Sequence, residues 1–113
     1  MKYNPELAER VRAYLANLSG FQVEEKKMFG GLAFIINQKF CVNVSGDRLM
    51  CRFDEELLPA LIKQPGFIPL IMKGKELKGY CYVNDSGYRN KADFEFWIGL
   101  CLAFNKKAKS SRK

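Results

Sequence analysis

Histidine is absent from the 113 residues of this chain. Its absence removes the commonest general base, the proton shuttle that works near neutrality and the most frequent transition-metal ligand. Ser19, Ser45, Ser86, Ser110 and Ser111 therefore have no imidazole to activate them, and none lies in a G-x-S-x-G elbow. No two of the four cysteines stand in C-x-x-C spacing, so no zinc ribbon or dithiol redox motif is written. No apolar run approaches the roughly 20 residues of a membrane-spanning helix. Met1-Lys2-Tyr3-Asn4 runs straight into a helix pattern and does not resemble a secretory leader. Gly30-Gly31 fits no phosphate-loop pattern and leads into a strand. These absences predict a cytoplasmic, non-enzymatic protein with no cofactor, metal, membrane or small-molecule substrate.

What the chain does have is positive charge: nineteen Lys and Arg against twelve Asp and Glu, a net +7. The charge is uneven. Lys106, Lys107, Lys109, Arg112 and Lys113 crowd the last eight residues, where no acid occurs. Residues 1–105 are close to neutral. This predicts one domain over 1–105 and a basic tail over 106–113, which is a candidate phosphate-binding arm. Lys73, Lys75 and Lys78 form a second candidate nucleic-acid contact, partly offset by Glu76. Tyr80, Tyr82 and Tyr88, beside Lys78 and Arg89, could stack on bases, though ordinary strand tyrosines explain them as well.

Asn4-Pro5-Glu6 is a helix start: a capping residue, a proline at the first helical position and an acid near the positive end of the dipole. Leu7, Val11, Tyr14, Leu15 and Leu18 then recur on one face. A series of strands follows. Val23–Phe29 is polar, with Glu24-Glu25 before Lys26-Lys27 marking a solvated edge. Residues 32–36, 40–45 and 48–53 alternate around short turns.

A Gly46-Asp47 turn would pair Val44 with Leu49, Val42 with Cys51 and Phe40 with Phe53 on one face, leaving Cys41 and Cys51 on opposite faces. For the preceding hairpin, a three-residue loop puts Leu32, Phe34 and Ile36 on that face, and a two-residue loop puts Ala33 and Ile35 there. The larger side chains favour the first. Asp54-Glu55-Glu56 opens a short helix with Leu57, Leu58, Leu61 and Ile62 as its apolar positions, interrupted by Pro59. Phe67–Met72 is a strand that Pro69 pushes to an edge. Gly74–Gly79 reads as a turn region, Tyr80–Asn84 as a strand and Asp85-Ser86-Gly87 as a loop.

The last helix, 90–107, carries Phe94, Trp97, Ile98, Cys101 and Phe104 on one side and Phe96, Leu100 and Ala103 on the other. A helix apolar on two sides is either central to a core or shared with a partner. Cys41, Cys51, Cys81 and Cys101 each sit within an apolar pattern and are expected as reduced thiols that pack like small hydrophobes. The order of elements predicts an α+β fold, an antiparallel sheet with helices packed on one face.

Several stretches taken together resemble one family. Met28-Phe29-Gly30-Gly31 resembles the N-terminal domain of the TfoX/Sxy family. So do Phe34-Ile35-Ile36-Asn37-Gln38-Lys39, Asp47-Arg48-Leu49-Met50, Pro65-Gly66 with Pro69, Lys78-Gly79-Tyr80 and Trp97. The resemblance implies a secretion-chaperone-like fold of order α-β(3)-α-β(2)-α. It implies kinship with bacterial regulators of natural competence, which act with the cyclic-AMP receptor protein and carry a second domain that this chain does not show. It supplies no catalytic residues. The expectation is a domain that works through protein contacts, with a protein partner or a second copy, and weak nucleic-acid binding as the alternative. Ile35, Cys41, Met50, Phe96 and Leu100 are the candidate interface positions.

Overall fold

The computed structural model describes residues 3–28 and 30–107. Its helices and strands are α1 (Pro5–Ala16), β1 (Val23–Met28), β2 (Gly31–Ile36), β3 (Lys39–Ser45), β4 (Arg48–Arg52), α2 (Leu58–Leu61), β5 (Phe67–Met72), β6 (Lys75–Val83), α3 (Asp85–Tyr88) and α4 (Lys91–Asn105). All the strand pairs are antiparallel, and the six strands form one sheet in the order β1-β2-β3-β4-β6-β5. The fold is α+β, as expected. Four strands precede α2 rather than the three implied by the resemblance.

Helix starts follow the capping logic. The Asn4 side chain accepts hydrogen bonds from the Glu6 and Leu7 amides, and Pro5 occupies the first helical position. Asn90 caps α4 by accepting from the Asp93 amide. A single 3-10 turn, Glu55–Leu57, leads into the one-turn α2. α1 and α4 lie against one face of the sheet. They bury Leu7, Val11 and Leu15 of α1, and Phe94, Trp97, Ile98 and Cys101 of α4, against Phe34, Ile36, Val42, Val44, Leu49 and Cys51. Tyr88 joins this core and donates its hydroxyl to the Asp47 carbonyl.

The β2–β3 hairpin settles the loop question in an unexpected way. Ile36 pairs with Lys39, so the loop has only two residues, Asn37 and Gln38, with φ of 52° and 69°. Two left-handed residues make the tight hairpin turn whose twist suits the strands. That loop alone would turn Ala33 and Ile35 to the helices. It does not, because the register shifts further along: Phe34 pairs with Val42 while Ile35 pairs with Phe40. Cys41 is the extra residue of a β-bulge. The bulge restores Leu32, Phe34 and Ile36 to the helix side, together with Val42 and Val44.

The bulge also overturns two expectations about β3. Phe40 does not pair with Phe53. It turns to the other face and joins a second buried cluster with Ala33, Ile35, Met50 and Leu70. Cys41 lies on the helix side with Cys51, not opposite it.

The region expected as a turn between Gly74 and Gly79 is strand. The reversal is confined to Lys73 and Gly74, with φ of 54° and 80°, and β6 runs nine residues from Lys75. Past the end of β4 the β5–β6 hairpin shifts register and gives Leu70 and Leu77 to the second cluster. Among the described residues, no helix is long and apolar enough to cross a membrane.

Core and rim positions should separate in an unfolding experiment. Phe34, fully buried, should lose about 3–5 kcal/mol on replacement by alanine. Ile71, 63% exposed, should change by less than about 0.5 kcal/mol. Urea midpoints at fixed m-value read both, and equal losses would contradict this assignment of inside and outside.

Candidate interaction surfaces

The Met28-Phe29-Gly30-Gly31 motif turns β1 into β2. Phe29 lies outside the described residues. Gly30 has φ of 71°, where a side chain is strained. Gly31 is constrained by contact: a Cβ there would fall 2.1 Å from the Val44 carbonyl oxygen and 3.0 Å from Oδ1 of Asn43. Asn43 is fully buried and donates from Nδ2 to the Met28 carbonyl at 3.2 Å. The motif is thus held by a buried amide and by a backbone approach that only glycine permits.

The five candidate interface positions divide. Cys41 is buried in the helix-side core by the bulge and cannot meet a partner. Ile35 and Met50 do face away from the helices, but the chain's own second cluster buries them to 7% and 2% exposure. Phe96 is 45% exposed, its ring resting edge-on against Trp97 at 5.5 Å. Leu100 is half-buried, packed against the main core.

The tyrosines and basic residues form a different arrangement from the one expected. Tyr80 lies opposite Arg52 across β4–β6, and Tyr82 lies opposite Met50, diagonal to Arg48. The Arg48 guanidinium covers the Tyr82 ring at 3.9 Å, and Arg52 lies 5.9 Å from the Tyr80 ring and 5.5 Å from that of Phe104. Arg89 pairs with Asp85 instead, and Tyr88 is in the core. Lys73, Lys75 and Lys78 are exposed, the last two in β6 rather than in a loop. At the end of α4, Lys39 Nζ donates to the Asn105 carbonyl at 2.9 Å, a cation placed on the negative end of a helix. Lys107 pairs with Asp54 at 2.8 Å, and this hydrogen bond holds the Asp54 carboxyl below its ordinary range. Lys106 is exposed. Lys109, Arg112 and Lys113 lie outside the described residues. The charge at this end is mixed.

Sequence reasoning missed an apolar groove between α2 and the edge strand β5. It is shallow and open to solvent, lined by Leu58, Pro59, Ile62, Phe67, Pro69 and Glu76, with a volume of about 620 Å³. Ile62 is 53% exposed, and Leu57, Ile71 and Met72 are exposed as well. The signal lay in Leu57 and Ile62, which flank a helix too short to bury every apolar position.

The TfoX N-terminal domain family model matches residues 13–105. The chain belongs to the TfoX N-terminal domain family. No curated protein and no solved structure matches it. The matched span runs from within α1 to the last residue of α4 and includes the glycine turn and the groove.

All four cysteines of this family member are free and buried in one core. Hydrogen bonding to Cys101 and Cys81, together with burial, pushes the Cys51 thiol well up. Burial and Cys101 do the same to Cys41, against a smaller opposing effect of Arg52. Such thiols stay protonated and are poor nucleophiles.

Two outcomes follow. Gly31→Ala should cost about 2–4 kcal/mol through the carbonyl clash, whereas Gly30→Ala, with open space around it, should cost only the left-handed penalty of about 1–2 kcal/mol. Thermal or urea unfolding of the two variants measures the difference. Separately, a thiol-reactive chromogenic disulfide should label none of the four cysteines in the folded protein near neutral pH and all of them after unfolding. Rapid labelling of the native protein would contradict the burial.

Proposed function

We propose that this chain is a non-catalytic domain that works through protein contacts, in a regulatory role of the kind its family is known for. The observation that carries this reading is the groove beside β5. Ile62 in its lining is 53% exposed, and Ile71, further along β5, is 63% exposed; clustered exposed apolar side chains of this kind mark contact sites. The lack of histidine and the raised thiols of Cys41 and Cys51 favour contact over catalysis.

A second reading, weak nucleic-acid binding, draws support from Lys73, Lys75 and Lys78. All are exposed on the β5–β6 hairpin with Glu76 as the acid among them. The covered face of Tyr82 argues against base stacking there, so any binding would be to phosphates.

Affinity capture from the native host, comparing the wild type with Ile62→Glu/Ile71→Glu, tests the first reading. A folded double variant should lose the bound protein that the wild type retains. An unchanged set of captured proteins sinks the groove as the contact site. Titration of a random-sequence duplex between about 50 and 200 mM salt tests the second, because each phosphate contact contributes about 0.9 to the logarithmic salt slope. A slope that Lys73→Glu/Lys75→Glu leaves unaltered excludes the hairpin.

A further inference from the structure

The opposite edge of the sheet points to a different contact. β1 is an edge strand with the sequence Val-Glu-Glu-Lys-Lys-Met. It is exposed along nearly its whole length and pairs on one side only, with β2. The Asn37 amide donates to the Gln22 carbonyl, which fixes the alternation of the ladder. Residues 24, 26 and 28 turn their backbone groups to β2. Val23, Glu25 and Lys27 turn theirs outward, where no described residue meets them.

The side chains are sorted as well. Arg12 of α1 donates to both carboxylate oxygens of Glu25, at 2.5 and 2.7 Å, so Glu25 faces the helices. Met28 belongs to the second cluster, so Glu24 and Lys26 face the other way with it.

A second copy can add to this edge only under narrow rules. An antiparallel pair of identical strands is related by a two-fold axis perpendicular to the sheet. That axis keeps each side chain on its own face, so facing residues must share parity. Outward backbone groups must also meet outward ones, which leaves registers centred on the odd or even residues of β1 itself. Centring on Glu24 or on Lys26 sets like charges face to face at the axis. Centring on Glu25 sets Glu24 of each copy opposite Lys26 of the other, twice, on the face away from the helices. The two Glu25 carboxylates that then meet at the axis each already hold an Arg12 guanidinium. The same register lets Val23, Glu25 and Lys27 exchange backbone hydrogen bonds with Lys27, Glu25 and Val23 of the second copy.

We infer that the β1 edge is a self-association surface, in which two copies pair β1 antiparallel about Glu25 and join their sheets, held in register by reciprocal Glu24–Lys26 pairs. The contact is small and largely polar, so the dimer is weak and concentration-dependent. This inference does not rest on the groove beside β5, which lies at the other edge.

Sedimentation equilibrium from about 10 µM to about 1 mM, the range in which small interfaces populate, reads the result. The wild type should show a reversible monomer–dimer equilibrium that weakens as salt rises. Lys26→Glu, which turns both reciprocal pairs repulsive, should weaken dimerisation about tenfold or more. Glu24→Lys/Lys26→Glu exchanges the charges, keeps both pairs complementary and should restore it. Lys27→Pro removes an outward amide without touching the β2 ladder and should abolish the dimer, with the melting temperature of the monomer little changed. A strict monomer up to about 1 mM overturns the inference and leaves the charges as a guard against edge pairing. A dimer that ignores Lys26→Glu, or that the charge exchange fails to restore, overturns it equally.

Discussion

The extra residue at Cys41 governs the rest of this molecule. A two-residue turn at Asn37-Gln38 is the tightest link between β2 and β3, and with plain alternation it would aim Ala33 and Ile35 at the helices. One inserted residue reverses the parity of everything beyond it. Phe34 and Ile36 then share one core with Trp97 and Ile98, and Phe40 is released to the other side. The sheet is thereby apolar on both faces, and both must be covered. α1 and α4 cover one. The far hairpin covers part of the other, with Leu70 and Leu77 reaching the cluster around Met50 and Phe40.

Covering the second face from within the chain changes the meaning of outward-facing apolar residues. Ile35 and Met50 alternate as surface positions should, and alternation is all that a single strand can reveal. Their burial comes from β5 and β6, some twenty or more positions along the chain. The same distance hides the cysteines. Each alternates separately, but the bulge, the β4–β6 register and the placement of α4 bring all four to one core. The raised protonation affinity of Cys41 and Cys51 comes from this shared burial and from their cysteine neighbours. The α1 start at Asn4-Pro5, the α4 cap at Asn90 and the Val42–Cys51 and Val44–Leu49 pairs were legible because each depends on a few neighbouring residues. The edge position of β5 was legible through Pro69, whose missing amide no interior strand tolerates.

The candidate surfaces were less legible, for a related reason. Leu57 and Ile62 read as core positions of a helix, yet the helix is a single turn whose buried residue is Leu61. Pro59 explains the brevity. What the periodicity cannot show is that the remaining apolar side chains then border β5 and form a groove. The basic residues are a parallel case. Lys107 reads as part of a tail, but it closes on Asp54, and Lys39, a turn residue by position, neutralises the end of α4. A count of charge measures neither arrangement.

The two edges of the sheet solve one problem by different means. An edge strand presents unpaired backbone groups that invite another strand. At β5 the guard is covalent: Pro69 has no amide to offer, so a strand arriving there finds fewer donors beside an apolar groove. Side-chain burial, rather than a backbone ladder, suits that edge. At β1 every residue keeps its amide, and only the charges of Glu24, Glu25, Lys26 and Lys27 stand in the way. Charges discriminate by register where proline does not, since they repel in most alignments and attract in the few where signs alternate across the gap. An edge blocked by charge therefore stays selective, open to a strand with the complementary sequence of charges. Arg12, shared between Glu9 and Glu25, offsets part of the charge on the helix side, and β1 itself supplies one alternating alignment, Glu24 opposite Lys26 in both directions.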